Sequence, residues 1–115
     1  MTHAQSLENF QMETDKHKTK VIFRAWNVGK FRGDVIALFP ELPGTRSPCS
    51  CMSYEHIGQH GAADYEHVIA STRPILFGHE CRSLASELRG LGYNLDIVQR
   101  CSHSMDVKRI EACHA

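Results

Sequence analysis

Two apolar segments on either side of a short loop constrain the fold of this chain more than any other feature. The first, KVIFRAWN (residues 20–27), alternates so that Val21, Phe23 and Ala25 lie on one side of a strand. The second, DVIALF (residues 34–39), is apolar on both sides, which is typical of a strand that is covered on both faces. The loop between them contains two glycines. The pattern therefore predicts an antiparallel hairpin whose second strand is central in a sheet.

The remaining elements show no regular alternation of strand and helix. Leucines at positions 84, 88 and 91 recur at spacings of four and three residues, which predicts an amphipathic helix over residues 79–91. We therefore predict an α+β fold, with a small, mostly antiparallel sheet and one main helix packed on a face. The other predicted elements are a strand over residues 49–54, a helix or a turn leading into a strand over 62–70, a strand over 93–98 and a short helix over 105–113, which is indicated by Val107, Ile110 and Ala112.

Length and composition predict one small domain. The 115 residues divide into a flexible N-terminal arm over residues 1–19, a compact α+β domain over 20–100, and a C-terminal tail or short helix over 101–115. No signal peptide opens the chain, and no apolar stretch is long enough to span a membrane. The odd number of cysteines, five, fits free thiols in a reducing compartment. We expect a cytoplasmic protein that does not bind membranes.

The charge of the chain limits its partners. Its 13 basic and 13 acidic residues cancel, which argues against a nucleic-acid binder that relies on a broad basic face, although a local basic patch is compatible with it. A net charge near zero also offers little repulsion between copies, which is compatible with a homo-oligomer. We therefore expect a protein partner rather than a nucleic acid.

The candidate functional region is the segment from Cys49 to His67, CSCMSYEHIGQHGAADYEH. It holds two of the five cysteines, three of the eight histidines and two tyrosines, and it has no lysine or arginine. Its glycines at 58 and 61 predict a loop after Met52. Aromatic side chains with polar tips supply both contact area and hydrogen bonds to a partner. The predicted binding residues are Tyr54, His56, Gln59, His60, Asp64 and Tyr65.

A zinc site is an alternative interpretation of the same region. Cys49, Cys51, His56 and His60 follow the pattern C-x-C-x4-H-x3-H, and thiolate and imidazole are the usual ligands of zinc. The two cysteines are closer together than in standard structural zinc sites, so ordinary thiols and loop histidines explain the pattern more simply. We expect no cofactor, with zinc in a structural or catalytic role as the alternative.

A cysteine-dependent enzyme is a further alternative. Cys49 or Cys51 would be the nucleophile, His56 or His60 the base, and Asp64 the residue that orients the base. The chain contains no nucleophile elbow, phosphate-binding loop or zinc-protease motif. We therefore assign no catalytic residue and favour a binding role over an enzymatic one.

Four segments of the chain carry a resemblance to other proteins. They are KVIFRAW, DVIALFPELPG, CMSYEHIGQHGAADY and LASELRGLGYNLDIVQR, of which the third is the most specific. Over residues 20–100 the chain resembles a group of small, mostly uncharacterised proteins of bacteria, phages and mobile elements. The resemblance implies a compact domain and a mobile-element setting, in which accessory proteins often act by binding, and this setting suggests an inhibitor of a host defence system such as CRISPR.

Overall fold

The strands of this protein form one sheet with helices on both faces. A computed structural model describes residues 18–56 and 59–114. In chain order, the elements are β1 (Thr19–Trp26), β2 (Val35–Pro43), β3 (Ser50–Glu55), β4 (Gln59–Asp64), α1 (Tyr65–Ser71), β5 (Thr72–Pro74), α2 (His79–Gly90), β6 (Leu95–Ile97) and α3 (His103–Cys113). Among the described residues, five of the six strands follow the order β4-β3-β2-β1-β5. The sixth, β6, pairs with β1 in parallel. All other pairings are antiparallel, so the predicted α+β fold is confirmed.

β1 and β2 form the predicted antiparallel hairpin. Their register places Phe23 opposite Ala37, and Ala25 opposite Val35. β2 lies between β1 and β3, and its residues 35–40 are all buried. The apolar residues on both sides of the strand over 35–39 thus reflect burial on both faces.

The first face of the sheet, called face A, is covered by α2. It carries Val21, Phe23 and Phe39, which pack against Leu84 and Leu88 of the helix. α2 is the main helix that the leucine spacing predicts, and its described span, His79–Gly90, lies within one residue of the predicted one.

The opposite face, called face B, is covered by the two other described helices. Ile22, Leu38 and Cys51 lie on this face, and Val68 of α1 packs against them. α3 packs on the same side against β2. These two shorter helices, which correspond to the helix or turn predicted over 62–70 and the short helix predicted over 105–113, cover the second apolar side of β2.

α3 contacts the rest of the protein through polar groups more than through the predicted apolar side. Val107 and Ile110 remain 38% and 36% exposed, whereas Arg109 is buried. The Nη1 of Arg109 donates to the carbonyl of Pro40 at 2.8 Å, and its Nη2 donates to a second backbone carbonyl at 3.2 Å. The helix exists as predicted, but the pattern of apolar residues did not identify its buried side.

The predicted loop after Met52 is instead a β-hairpin, formed by β3 and β4. The register places Tyr54 opposite His60 and Ser53 opposite Gly61, so Gly61 continues a strand. Residues 57 and 58, at the turn, lie outside the described residues. Sequential pairing with β3 overrides the weak strand preference of QHGAAD, because backbone hydrogen bonds do not depend on side-chain type.

The ends of the predicted elements are also defined. α1 begins where the carboxylate of Asp64 accepts a hydrogen bond from the backbone N–H of His67 at 3.2 Å. The C-terminal residues 103–113 are a helix, whereas most of the predicted arm, residues 1–17, lies outside the described residues.

In the described part of the chain, no helix has the length and apolarity needed to cross a membrane.

Candidate functional site

A group of stacked rings, called the aromatic cluster, lies on face A near the free edge of the sheet. It consists of Phe39, Tyr54, His60 and Tyr93, from β2, β3, β4 and the segment after α2. The rings of Phe39 and Tyr93 stack with centroids 5.2 Å apart, and Tyr54 meets His60 edge-on at 4.8 Å. The Nε2 of His60 lies 2.7 Å from the hydroxyl of Tyr93. His60 is solvent-exposed, so the cluster presents an imidazole whose position is set by three other rings.

A carboxylate from α2 extends the aromatic cluster toward the β3–β4 turn. The Oε1 of Glu87 lies 3.5 Å from the Nδ1 of His56, and the same carboxylate faces the hydroxyl of Tyr54. This hydroxyl is the main cause that lowers the pKa of Glu87, and the carboxylate in turn raises the pKa of Tyr54. Glu87 therefore remains charged at neutral pH beside the exposed His56.

The sheet divides the predicted binding surface between its two faces. Tyr54, His56 and His60 lie on face A, although Tyr54 is only 3% exposed and supports His60 rather than reaching solvent. Tyr65 lies on face B, where its hydroxyl accepts a hydrogen bond from the backbone N–H of Cys101 at 3.1 Å. Gln59 begins β4 opposite Glu55, and Asp64 ends that strand as the cap of α1.

Two members of the face A site were not identified from the sequence. Tyr93 directly follows a glycine, just after the end of α2. Glu87 lies within α2, where other residues are also charged, so nothing in the sequence distinguishes it. Both are more than 25 residues from the histidines that they contact. The only sequence signal for Tyr93 was its place on the inward side of the predicted last strand.

Face B carries a cleft between the start of α1 and α3. Its volume is about 890 Å³, and its lining combines the loop before β3, the start of α1, and α3 with the segment that precedes it. Asp106 accepts hydrogen bonds from Arg109 at 2.8 Å and from the thiol of Cys101 at 3.2 Å. The lining residues are Pro48, Cys49, Asp64, Tyr65, Glu66, His67, Cys101, His103, Asp106, Val107, Arg109 and Ile110.

The four residues of the predicted zinc site do not come together. Cys51 is buried on face B, whereas His56 and His60 lie on face A, so the sheet separates the thiol from both imidazoles. Cys49 lines the cleft of face B. Across residues 18–56 and 59–114, no three histidine, cysteine, aspartate or glutamate side chains are grouped closely enough to hold a metal ion. The same separation keeps Cys51 away from the bases of the cysteine-enzyme alternative.

Burial controls the chemistry of two thiols. Desolvation raises the pKa of Cys51 to about 11, and burial, assisted by the neighbouring Asp106, raises the pKa of Cys101 to about 11. Both groups are therefore protonated thiols at neutral pH. Because the thiolate is the nucleophilic form, neither is prepared for covalent catalysis.

Alkylation should distinguish Cys51 from its neighbour Cys49. We expect iodoacetamide at pH 8 to modify the exposed Cys49 at least about tenfold faster than the fully buried Cys51, because Cys51 lacks both access and thiolate character. Peptide mass spectrometry over time measures both rates in one sample, and labelling in denaturant provides the reference. Equal rates in the native protein would contradict the described burial of Cys51.

Searches of protein-family models, of curated proteins and of solved structures each found no match.

Proposed function

We propose that this protein is a non-catalytic binding protein that recognises a protein partner with the exposed side of the aromatic cluster. The observation that carries the proposal is the position of His60. Its imidazole is exposed to solvent, and its Nε2 forms a hydrogen bond of 2.7 Å with the hydroxyl of Tyr93. A side chain that is already held in place loses little conformational entropy when it binds. His56 and Glu87 add a base and a charged acceptor next to it.

The surface has the composition of a binding site for protein. Aromatic rings with polar tips are enriched at the centres of protein interfaces. Face A combines the phenol ring of Tyr93, the imidazoles of His56 and His60, and the carboxylate of Glu87. Because Phe39 and Tyr54 hold the ring of His60 in place, this surface is suited to one partner of complementary shape rather than to many different partners.

A binding role also agrees with the chemistry of the thiols. Cys51 and Cys101 have pKa values raised to about 11, and the bases of face A lie across the sheet from Cys51. With five free cysteines among the described residues, we place the protein in the reducing cytoplasm.

The resemblance to small phage and mobile-element proteins supports a partner from a host defence system, such as a CRISPR effector.

Replacing His60 with alanine tests this proposal. We expect the His60→Ala variant to bind a purified CRISPR effector at least about tenfold more weakly than the unmodified protein, because an exposed central ring and its hydrogen bonds are lost. Calorimetry with effectors of several CRISPR types measures the affinity. Phage plaques on a CRISPR-immune bacterium that expresses each variant measure the inhibition. Tyr54 is not substituted, because it is buried and its loss would lower the stability of the protein as well as its binding.

His79→Ala is the matched control. His79 is also an exposed imidazole stacked on a ring, with its centroid 5.6 Å from that of Phe77, but it lies at the start of α2. We expect this variant to bind like the unmodified protein. Equal affinities of the two variants would place recognition outside the aromatic cluster. If the unmodified protein neither binds an effector nor protects phage, a CRISPR partner is ruled out.

A further inference from the structure

The outer edge of β4 offers unpaired backbone groups in a defined order. β4 ends the sheet and pairs only with β3 in the described chain. The N–H of Tyr65 donates to the carbonyl of Cys49, which is its partner in the same register. Since hydrogen-bonded and non-hydrogen-bonded pairs alternate in an antiparallel ladder, every second residue before Tyr65 also bonds to β3. The N–H groups of His60, Ala62 and Asp64 must therefore point outward.

This edge lacks the features by which proteins protect exposed strands. β4, with the sequence QHGAAD, has no proline or lysine, and its six pairs with β3 run without a bulge. The opposite edge of the sheet differs, because β5 and β6 together cover β1, and β5 ends in Pro74. α1 leaves the end of β4 and crosses face B to β5, so it does not run along the free edge.

The order of the residues in β4 suits pairing with a second copy. Two-fold symmetry makes the two edge strands antiparallel. The register that uses all three outward residues places Ala62 opposite Ala62 of the second copy, where the two residues exchange both of their backbone hydrogen bonds. The same register places His60 opposite Asp64, once on each side of the symmetry axis.

The side chains in this register are complementary. An imidazole faces a carboxylate on either side, and no carboxylate lies opposite another. The Oδ1 of Asp64 accepts from the N–H of His67, which leaves the second oxygen for the imidazole of the second copy. The positions at and next to the axis are Gly61, Ala62 and Ala63, which are small enough for close approach of two strands.

We propose that this protein forms a two-fold homodimer through antiparallel pairing of β4 with β4, centred on Ala62. The two sheets become one continuous sheet, and both copies of the aromatic cluster lie on the same side of it, next to the axis. A partner of face A would then meet two copies of His60 at once. The dimer does not depend on the identity of that partner.

Ala62→Pro removes the central pair of hydrogen bonds. The substitution deletes the outward N–H of residue 62 and no bond between β4 and β3, so we expect a folded protein whose dimer dissociates about thirtyfold more readily. Analytical ultracentrifugation over a range of concentrations measures the dissociation constant, and circular dichroism measures folding. Ala62→Ser keeps both the N–H and a small side chain and is the matched control, with expected dimerisation like that of the unmodified protein. An unmodified protein that is monomeric up to its solubility limit would overturn the proposal.

Ala62→Cys tests the register and does not depend on the stability of the proline variant. In a hydrogen-bonded pair, the two Cα atoms lie about 5.5 Å apart, within the range of a disulfide. We expect mild oxidation to link this variant into a covalent dimer, well beyond any background from the native cysteines. Ser86→Cys introduces an exposed thiol on α2 as the control, and it should not crosslink above that background. Equal crosslinking of the two cysteine variants, or a dissociation constant that is unchanged in folded Ala62→Pro, would show that β4 is not the interface.

Discussion

Replacing Phe39 with alanine is expected to lower the free energy of unfolding by about 4 kcal/mol. Phe39 is 0% exposed in the centre of the sheet, and it supports the rings of His60 and Tyr93. The substitution removes the largest buried side chain of β2 and leaves a cavity that neighbouring strands cannot close. Urea denaturation measures the change. For a domain of this size, the loss is a large part of the total stability, which is typically about 5–15 kcal/mol.

Phe77→Ala makes the same chemical change where the ring is 62% exposed. We expect this control to alter the free energy of unfolding by less than about 1 kcal/mol, because little apolar area leaves the interior. Similar losses in Phe39→Ala and Phe77→Ala would contradict the packing described for face A. The comparison separates the effect of burial from the effect of deleting a phenyl ring.

Replacing Arg109 with alanine is expected to cost about 3 kcal/mol. Arg109 is 5% exposed, and its guanidinium donates to the carbonyls of Pro40 and Pro48 and to the carboxylate of Asp106. Burial lowers the pKa of Arg109, but the bonds to Asp106 and Cys101 outweigh this effect and raise it, so the group is charged throughout the usual pH range. Truncation leaves two carbonyls without their donor and releases α3 from β2. Thermal and urea denaturation measure the loss.

Lys108→Ala is the matched control for this prediction. Lys108 is adjacent on α3 and pairs with Glu41 at 3.3 Å, but its side chain is 65% exposed. Because exposed ion pairs contribute little, we expect a change below about 1 kcal/mol. Arg109→Lys keeps the charge but not the forked set of donors, and it should recover only part of the stability. If Arg109→Ala unfolds as the unmodified protein does, the buried contacts of α3 do not exist in solution.

The apolar patterns of the sequence predicted the elements of the core. Val21, Phe23 and Ala25 alternate with a period of two, and the structure places them together on face A. DVIALF predicted a strand covered on both sides. Leu84 and Leu88 marked the side of α2 that faces the sheet, whereas Leu91, the third leucine of the predicted pattern, lies just after the helix and is 56% exposed. These predictions succeeded because local periodicity records directly which side of an element is buried.

The polar contacts of the molecule were not predictable in the same way. Arg109 is buried because the distant carbonyls of Pro40 and Pro48 converge on it together with a carboxylate one turn away on α3, whereas its own segment is apolar at Val107 and Ile110. β4 is a strand because β3 supplies its backbone partners, and Gly61 alone suggested the opposite. Such contacts are made between one element and another, so the residue pattern within a single element does not contain them.

The candidate site shows the same division. The sequence by itself determined the hairpin, the central strand, the main helix and the concentration of histidine and tyrosine after Met52. Only the tertiary structure decided that the sheet separates Cys51 from His60, and that Tyr93 and Glu87 join the histidines of face A. The physical reason is that burial of apolar residues follows from short-range periodicity, whereas a site requires side chains from several elements to meet, and their meeting depends on strand order and register.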